Sequence, residues 1–305
     1  MITNYNDSKQ NEYLDEDRVH PLNKLNSNNI YEGDCLEFMK MLPDKYIDMI
    51  LCDLPYGITQ NKWDKKISLE KLWKQYKRII RDNGVIVLTA KQPFTSDLVM
   101  SNLNWFKYEW IWIKNRGTGH LNAEVMPLSC HENILVFCEG KMSYYPQKNR
   151  AEPYQRLKCS RDKTNKGCYG RMNKTTDTIN LGDRYPLSYL FFNKIEHTLH
   201  PTEKPIKLFR FLIKTYTKEG DLVFDNCMGS GTTAVACKQL NRKWLGCEIN
   251  PDYIKIINKR LQQTQLNDDG GTNFIEFNVS VKRSSPPLLF LIHREANLEM
   301  SQHLS

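Results

Sequence analysis

No CxxC pair and no Cys/His pair at metal-ligand spacing occurs among the nine cysteines of this 305-residue sequence. That absence argues against zinc fingers, zinc ribbons and a disulfide framework, and it fits reduced thiols in a cytoplasmic protein. Cys159 and Cys168, in a basic stretch, are the one pair that invites a metal, and no metal is expected. Long apolar runs are missing too. Nothing approaches the roughly 18 apolar residues of a membrane span, and residues 1–29 are polar, without a secretory apolar stretch. No membrane partner is expected. Hydrophobic content of 40% and charged content of 26% are ordinary for a globular chain, so neither disorder throughout nor a fibrous repeat is indicated. The length suits one large α/β domain with a smaller insertion.

What the sequence does have is a local excess of positive charge. Its formal net charge is +8, and between Lys141 and Glu196 twelve Lys/Arg stand against five Asp/Glu, so seven of the eight excess charges lie there. Such a stretch is either a solvated loop or a surface that tracks phosphates. Arg150, Arg156, Lys158, Arg161, Lys163, Lys166 and Arg171 are its candidate phosphate contacts.

Periodicity divides the chain. Ile47 to Cys52 is apolar apart from Asp48 and reads as a buried strand that feeds the turn Asp53-Leu54-Pro55-Tyr56-Gly57. Ser68 to Arg81 has helical spacing, Asn83-Gly84 closes it, and Val85 to Leu88 is a strand, which completes a β-α-β unit. Tyr108 to Ile113 and Asn133 to Phe137 are further strands, separated by the loop Asn115 to Asn122. From Lys141 to His197 no period persists, and an inserted, loop-rich module is expected. A second β-α-β unit follows a Pro-initiated helix, Pro205 to Tyr216. It comprises the strand Leu222 to Asp225, the helix Thr232 to Leu240 and the strand Trp244 to Ile249, and the helix Asp252 to Gln263 follows. Asn267 to Gly271 looks like a break. The expected organisation is a polar segment 1–28, one half-domain 29–140, an insertion 141–199, a second half-domain 200–264 and a tail 265–305. Strands alternating with helices imply a doubly wound, mainly parallel sheet.

Two segments carry chemistry. Asp225 to Thr233 passes from strand to helix through Gly229-Ser230-Gly231, where glycines allow a tight turn and close approach of backbone to a ligand. A P-loop needs a Lys before its Ser/Thr, and none is present, so an NTPase is disfavoured. A dinucleotide fingerprint with Ala234 at its last position remains open on spacing alone. Glu248, seventeen residues beyond Gly231, ends the next strand where a carboxylate can accept both hydroxyls of a ribose. The second segment, Asp53-Leu54-Pro55-Tyr56, suits an exocyclic amino group, whose lone pair is delocalised into its base. The Asp53 carboxylate and the Leu54 carbonyl can each accept one amino hydrogen and restore that lone pair. Pro55 stiffens the turn, and Tyr56 offers a stacking face.

These segments resemble the amino-methylating DNA methyltransferases of the adenine-N6/cytosine-N4 group. The resemblance runs from Asn29 to Leu261 through Gly33-Asp34, the Asp53 to Tyr56 turn, His200-Pro201-Thr202-Glu203-Lys204-Pro205, Asp225 to Thr233, and Glu248-Ile249-Asn250-Pro251. Their order is the circularly permuted one of the β group, found in phage and restriction-modification enzymes. The resemblance implies a Rossmann-like fold and S-adenosyl-L-methionine as cofactor, with no metal. Asp225, Gly229, Ser230 and Gly231 would line its methionine part, Glu248 its ribose and Asp34 its adenine, with Thr232 also binding the cofactor. Asn250 and the pocket-closing Thr202 and Lys204 would complete the site. It implies duplex DNA as partner, with 141–199 as target-recognition module, and it is compatible with a homodimer and with a cognate restriction endonuclease. Asp at position 53, where cytosine-N4 enzymes more often carry Ser, implies N6 of adenine. Cytosine N4, protein glutamine and a catalytically inactive DNA-binding regulator are the alternatives. Leu54 replaces a common Pro without consequence for the carbonyl. Asn226-Cys227 replaces a common Pro-Phe, and looser packing around the cofactor is the expected result.

Overall fold

The computed structural model describes residues 27–57, 64–156, 178–194 and 203–266. Its centre is an eight-stranded sheet. In chain order the strands are β1 (Asn29–Glu32), β2 (Ile47–Cys52), β3 (Ile80–Ala90), β4 (Phe106–Thr118), β5 (Ser129–Phe137), β10 (Tyr189–Phe191), β11 (Leu222–Asp225) and β12 (Lys243–Glu248). Side by side they run β1-β12-β11-β2-β3-β5-β4-β10. The first five in this spatial order are parallel, β5 is antiparallel to β3 and β4, and β10 lies parallel to β4. The sheet is thus α/β and mainly parallel, as expected.

Helices cover both faces, which is why β2 is apolar almost throughout rather than alternating. Successive strand residues point to opposite sides. Ile50, Cys52, Ile86 and Leu88 meet α1 (Cys35–Met41), α2 (Leu69–Ile79) and α3 (Phe94–Ser101) in one core. Met49, Leu51, Val85 and Val87 meet α4 (Ile206–Tyr216), α5 (Thr232–Gln239) and α6 (Pro251–Leu266) in the other. The chain climbs from β2 outward to β3, and from β11 outward in the other direction to β12. The order therefore reverses between β2 and β11, and at such a point the carboxyl ends of two neighbouring strands open a crevice.

Differences from the sequence reading are local. β3 begins at Ile80 rather than Val85, because Asn83, with φ of 63°, bends the strand without ending it. β4 and β5 extend past the expected strands, and a short 3-10 turn at His120–Asn122 lies in their connection. β1, α1 and α3 are additional elements. The basic insertion contains two small antiparallel pairs. β6 (Asn149–Arg150) pairs with β9 (Asp183–Arg184), and β7 (Tyr154–Arg156) pairs with β8 (Thr178–Asn180). Its last strand, β10, belongs to the main sheet. The chain divides again after Asp268, near the expected break, and the second unit lies outside the described residues. Among the described residues no helix is long and apolar enough to cross a membrane, and no group of His, Cys, Asp or Glu is arranged to hold a metal. Cys159 and Cys168 lie outside those residues.

Candidate active site

Asp53 follows the last residue of β2, and Asp225 is the last residue of β11. Since β2 and β11 pair through Met49 with Val223 and Ile50 with Phe224, the two segments singled out in the sequence meet at one edge of the sheet. Asp53 is held by three donors from three parts of the chain. Its Oδ1 accepts the Tyr56 hydroxyl at 2.7 Å and the Thr89 hydroxyl from β3, and its Oδ2 accepts the Lys204 ammonium at 2.5 Å. Lys204 is 6% exposed, yet it keeps its charge. Burial works against the ammonium, but Asp53 and Glu132 outweigh burial and raise its pKa. The Tyr56 phenol is pushed well above its ordinary value by burial and by the Asp53 charge, so it remains a donor. Its ring packs against Phe94 with centroids 5.4 Å apart, and the Lys204 ammonium lies 5.7 Å from its centre. Among the described residues no N–H or O–H donates to the Leu54 carbonyl.

The loop after β11 is fixed just as closely. Asp225 is 3% exposed and accepts the Thr233 hydroxyl and the Cys227 amide. Burial raises its pKa to about 6, despite those bonds. Gly231, with φ of 80°, begins α5, and a Cβ there would stand 2.8 Å from Ile257 of α6, so only glycine lets the turn pass so close. Glu248, 8% exposed, accepts the Gly229 amide at 2.8 Å and the Asn250 amide at 2.9 Å, and burial raises its pKa. β1 lies beside β12 with Glu32 opposite Glu248, which brings Gly33-Asp34 to the same edge. Two buried carboxylates on this turn would repel a polyphosphate. They suit hydroxyl groups and a cationic tail.

Several expected site residues also brace the backbone around them. Asp34 caps α1 through Oδ1, which accepts the Leu36 and Glu37 amides. Asn250 accepts the Asp252 amide at the start of α6. Ser230 is bound through its carbonyl and hydroxyl by Arg260, which also pairs with Glu203 at 2.7 Å. The Thr232 hydroxyl reaches the Lys204 carbonyl at 3.4 Å. The glycine turn and the Glu203-Lys204 segment are thus tied together. The looser packing expected at Asn226-Cys227 is not found: Asn226 is 2% exposed, bonds to the Tyr76 hydroxyl, and donates toward the sulfurs of Cys35 and Cys227.

Of the basic residues, Arg150 is exposed and sits 3.1 Å from Asp183, while Arg156 is placed on β7. Lys158, Arg161, Lys163, Lys166, Arg171 and Thr202 lie outside the described residues. Sequence reasoning missed Thr89, Glu132, Lys114 and Arg260. Glu203 carried a visible signal, as the one acidic member of the His200 to Pro205 motif.

Comparison with known proteins fits this geometry. The DNA methylase family model matches residues 47–259. The type II methyltransferase M.HinfI of Haemophilus influenzae is 26% identical over 304 residues, spanning 88% of this chain and 77% of its own. M1.MboII of Moraxella bovis is 25% identical over 263 residues, spanning 80% of this chain and all of its own. Among solved structures, the M1.HpyAVI complex with S-adenosylmethionine (SAM) aligns with a TM-score of 0.54 at 25% identity, over 76% of this chain and 98% of that one. The cytosine-N4-specific PvuII methyltransferase aligns with the same TM-score at 15% identity, over 76% and 85%, a likeness of fold alone. Asp53 and Asp225, brought to one edge by neighbouring strands, both fall within the matched segment, and the chain belongs to the DNA methylase family whose members methylate amino nitrogens at N6 or N4.

Proposed function

We propose that this protein transfers a methyl group from SAM to N6 of adenine in duplex DNA. The observation that carries the reading is the juxtaposition of the Asp53-Leu54 acceptors with the acidic, glycine-turned loop after β11. SAM has two ribose hydroxyls and a tail bearing a sulfonium and an ammonium, and that loop offers Glu248 to the first and Asp225 to the second. Asp34, at the edge shared by β1 and β12, and Asn250, beside Glu248, are assigned to the same ligand, as are Thr202 and Lys204 of the His200 to Pro205 motif. When bound, SAM supplies an electrophilic methyl group. Everything else is done by the chain.

An extruded base presents its amino group to Asp53 and to the Leu54 carbonyl, each accepting a hydrogen bond from one N–H, and the nitrogen lone pair is left to attack the methyl group. Extrusion costs a few kcal/mol, offset by stacking on Tyr56 and by contacts of the basic insertion with phosphates. Asp53 then accepts the surplus proton of the methylated nitrogen. Rate enhancement comes from orientation and from a preorganised, partly desolvated carboxylate, with no covalent enzyme intermediate. Carboxylate at position 53, where cytosine-N4 enzymes more often carry Ser, supports adenine. Arg150, Arg156, Lys158, Arg161, Lys163, Lys166 and Arg171 are assigned to DNA, and a homodimer or a partner restriction endonuclease fits the type. Single-molecule sequencing of DNA from cells that express the protein tests all of this at once. Adenine methylated at a fixed sequence context is the expected result, methylated cytosine would replace the base assignment, and unmodified DNA would sink the reading.

A further inference from the structure

Asp53 meets the incoming amino group with both oxygens already occupied: Tyr56 and Thr89 on Oδ1, Lys204 on Oδ2. Of these donors Lys204 has a second carboxylate in reach. Glu132 of β5 places Oε2 3.5 Å from the same ammonium, at the limit of hydrogen-bond reach, and among the described residues that buried oxygen has no other partner. Its other oxygen is held by Lys114 of β4, and the Glu132 and Lys114 side chains are only 12% and 8% exposed. Burial opposes the Glu132 charge, but Lys204 and Lys114 outweigh it and hold the carboxyl below its ordinary value. Charges therefore alternate along a mostly buried row, Lys114, Glu132, Lys204, Asp53, that sums to zero.

We propose that Glu132 is a positioning residue that competes with Asp53 for the Lys204 ammonium, and so releases Asp53 to the target amino group. The inference rests on the reading of Asp53 as acceptor of that group. A buried carboxylate oxygen so weakly partnered is costly, and a small turn of the lysine side chain would shorten its contact. Lys114 sets how strongly Glu132 pulls. Other charged or titratable groups with a field at Asp53 are Tyr56 and Cys52 of its own segment and Asp225 of β11; Glu132 faces Tyr56 as well as the two lysines.

Alternation makes the test directional. Single-turnover methyl transfer to unmodified bulk genomic DNA, which contains every short site, is followed across a pH series with the full-length protein. For Glu132→Gln, Lys204 stays on Asp53. The plateau rate should fall about tenfold, and the acid limb should move to lower pH by at least about half a unit. For Lys114→Met, Glu132 pulls harder and the acid limb should move the other way. The double variant removes a neutral pair and should return the limb close to its original place. SAM affinity should stay within about twofold in all three. If one single variant fails to fold, as judged by SAM binding, the direction of the other decides. A purely structural role would lower the rate without moving the limb. Unmoved limbs, or both singles moving in one direction, would overturn the inference. Absence of transfer by the unaltered protein would instead overturn the function assigned to Asp53.

Discussion

Asp53, Asp225 and Glu248 are three carboxylates with three different environments, and each environment predicts a different loss. Asp53 accepts three donors and, on the proposed reading, still has room for the target amino group, so Asp53→Ala should abolish labelled-methyl transfer while SAM affinity stays within about tenfold. Normal turnover in the folded variant would contradict its role. Glu248 is tied to the Gly229 and Asn250 amides. Its removal should cost about 1.5 to 3 kcal/mol of SAM binding by calorimetry and lower the melting temperature as the turn loosens. Asp225 titrates near pH 6, raised by burial from an ordinary 3.8. A raised acid holds its proton more tightly in the folded chain than in the unfolded one. Ligand-free stability should thus decline as pH rises between those values, by about 3 kcal/mol in total. Asp225→Asn should lack that slope in denaturant titrations. Since the ionised form suits a cationic tail, SAM affinity should fall as pH drops through about 6, with proton release on binding visible in calorimetry.

At the scale of elements, the glycine turn between β11 and α5 is squeezed against α6. Gly231→Ala has to place a Cβ on Ile257 from a left-handed backbone, and destabilisation by about 1 to 3 kcal/mol is expected. A melting temperature unchanged by this substitution would mean that α6 yields freely. This turn was legible in the sequence because its signal is local: an apolar strand, glycines at fixed spacing, then a helical period. β2 and β11 match the sequence reading residue for residue for the same reason, each being an apolar run that ends at an Asp. Thr89, Glu132 and Lys114 were invisible there. A threonine, a glutamate and a lysine within strands are ordinary, and Lys204 reaches Asp53 across 151 residues of sequence. β10 escaped because three residues carry no period, and Asn226 misled because a change of residue type does not reveal that Tyr76 waits to bond it.

At the scale of the molecule, the basic insertion can be separated from the sheet it decorates. The Ala151 amide bonds the Gly182 carbonyl at 2.8 Å, so residues 152–181 leave and return at one point, while β10 must be kept. Replacing 152–181 by a short Gly/Ser turn removes seven Lys/Arg and three Asp/Glu. If these cations meet phosphates, duplex affinity should fall and the slope of log K against log salt should flatten by about 1 for each phosphate-binding cation removed. A folded, SAM-binding shortened chain with the original affinity and slope would refute the recognition role.

The sheet order also bears on how the protein comes off the ribosome. β1 pairs only with β12, and β2 gains its second neighbour only when β11 arrives. A nascent chain that has already produced Asp53 and Tyr56 therefore keeps one edge of β2 open until Leu222 to Asp225 has emerged, and β1 unpaired until Lys243 to Glu248 has emerged. Open edges invite pairing with other chains, and long-range closures fold slowly. The same delay is a safeguard. Neither Glu248 nor the turn that binds it is in place until nearly all of the described fold has been made, so on the proposed reading an interrupted chain would have the Asp53 acceptor but no methyl donor beside it.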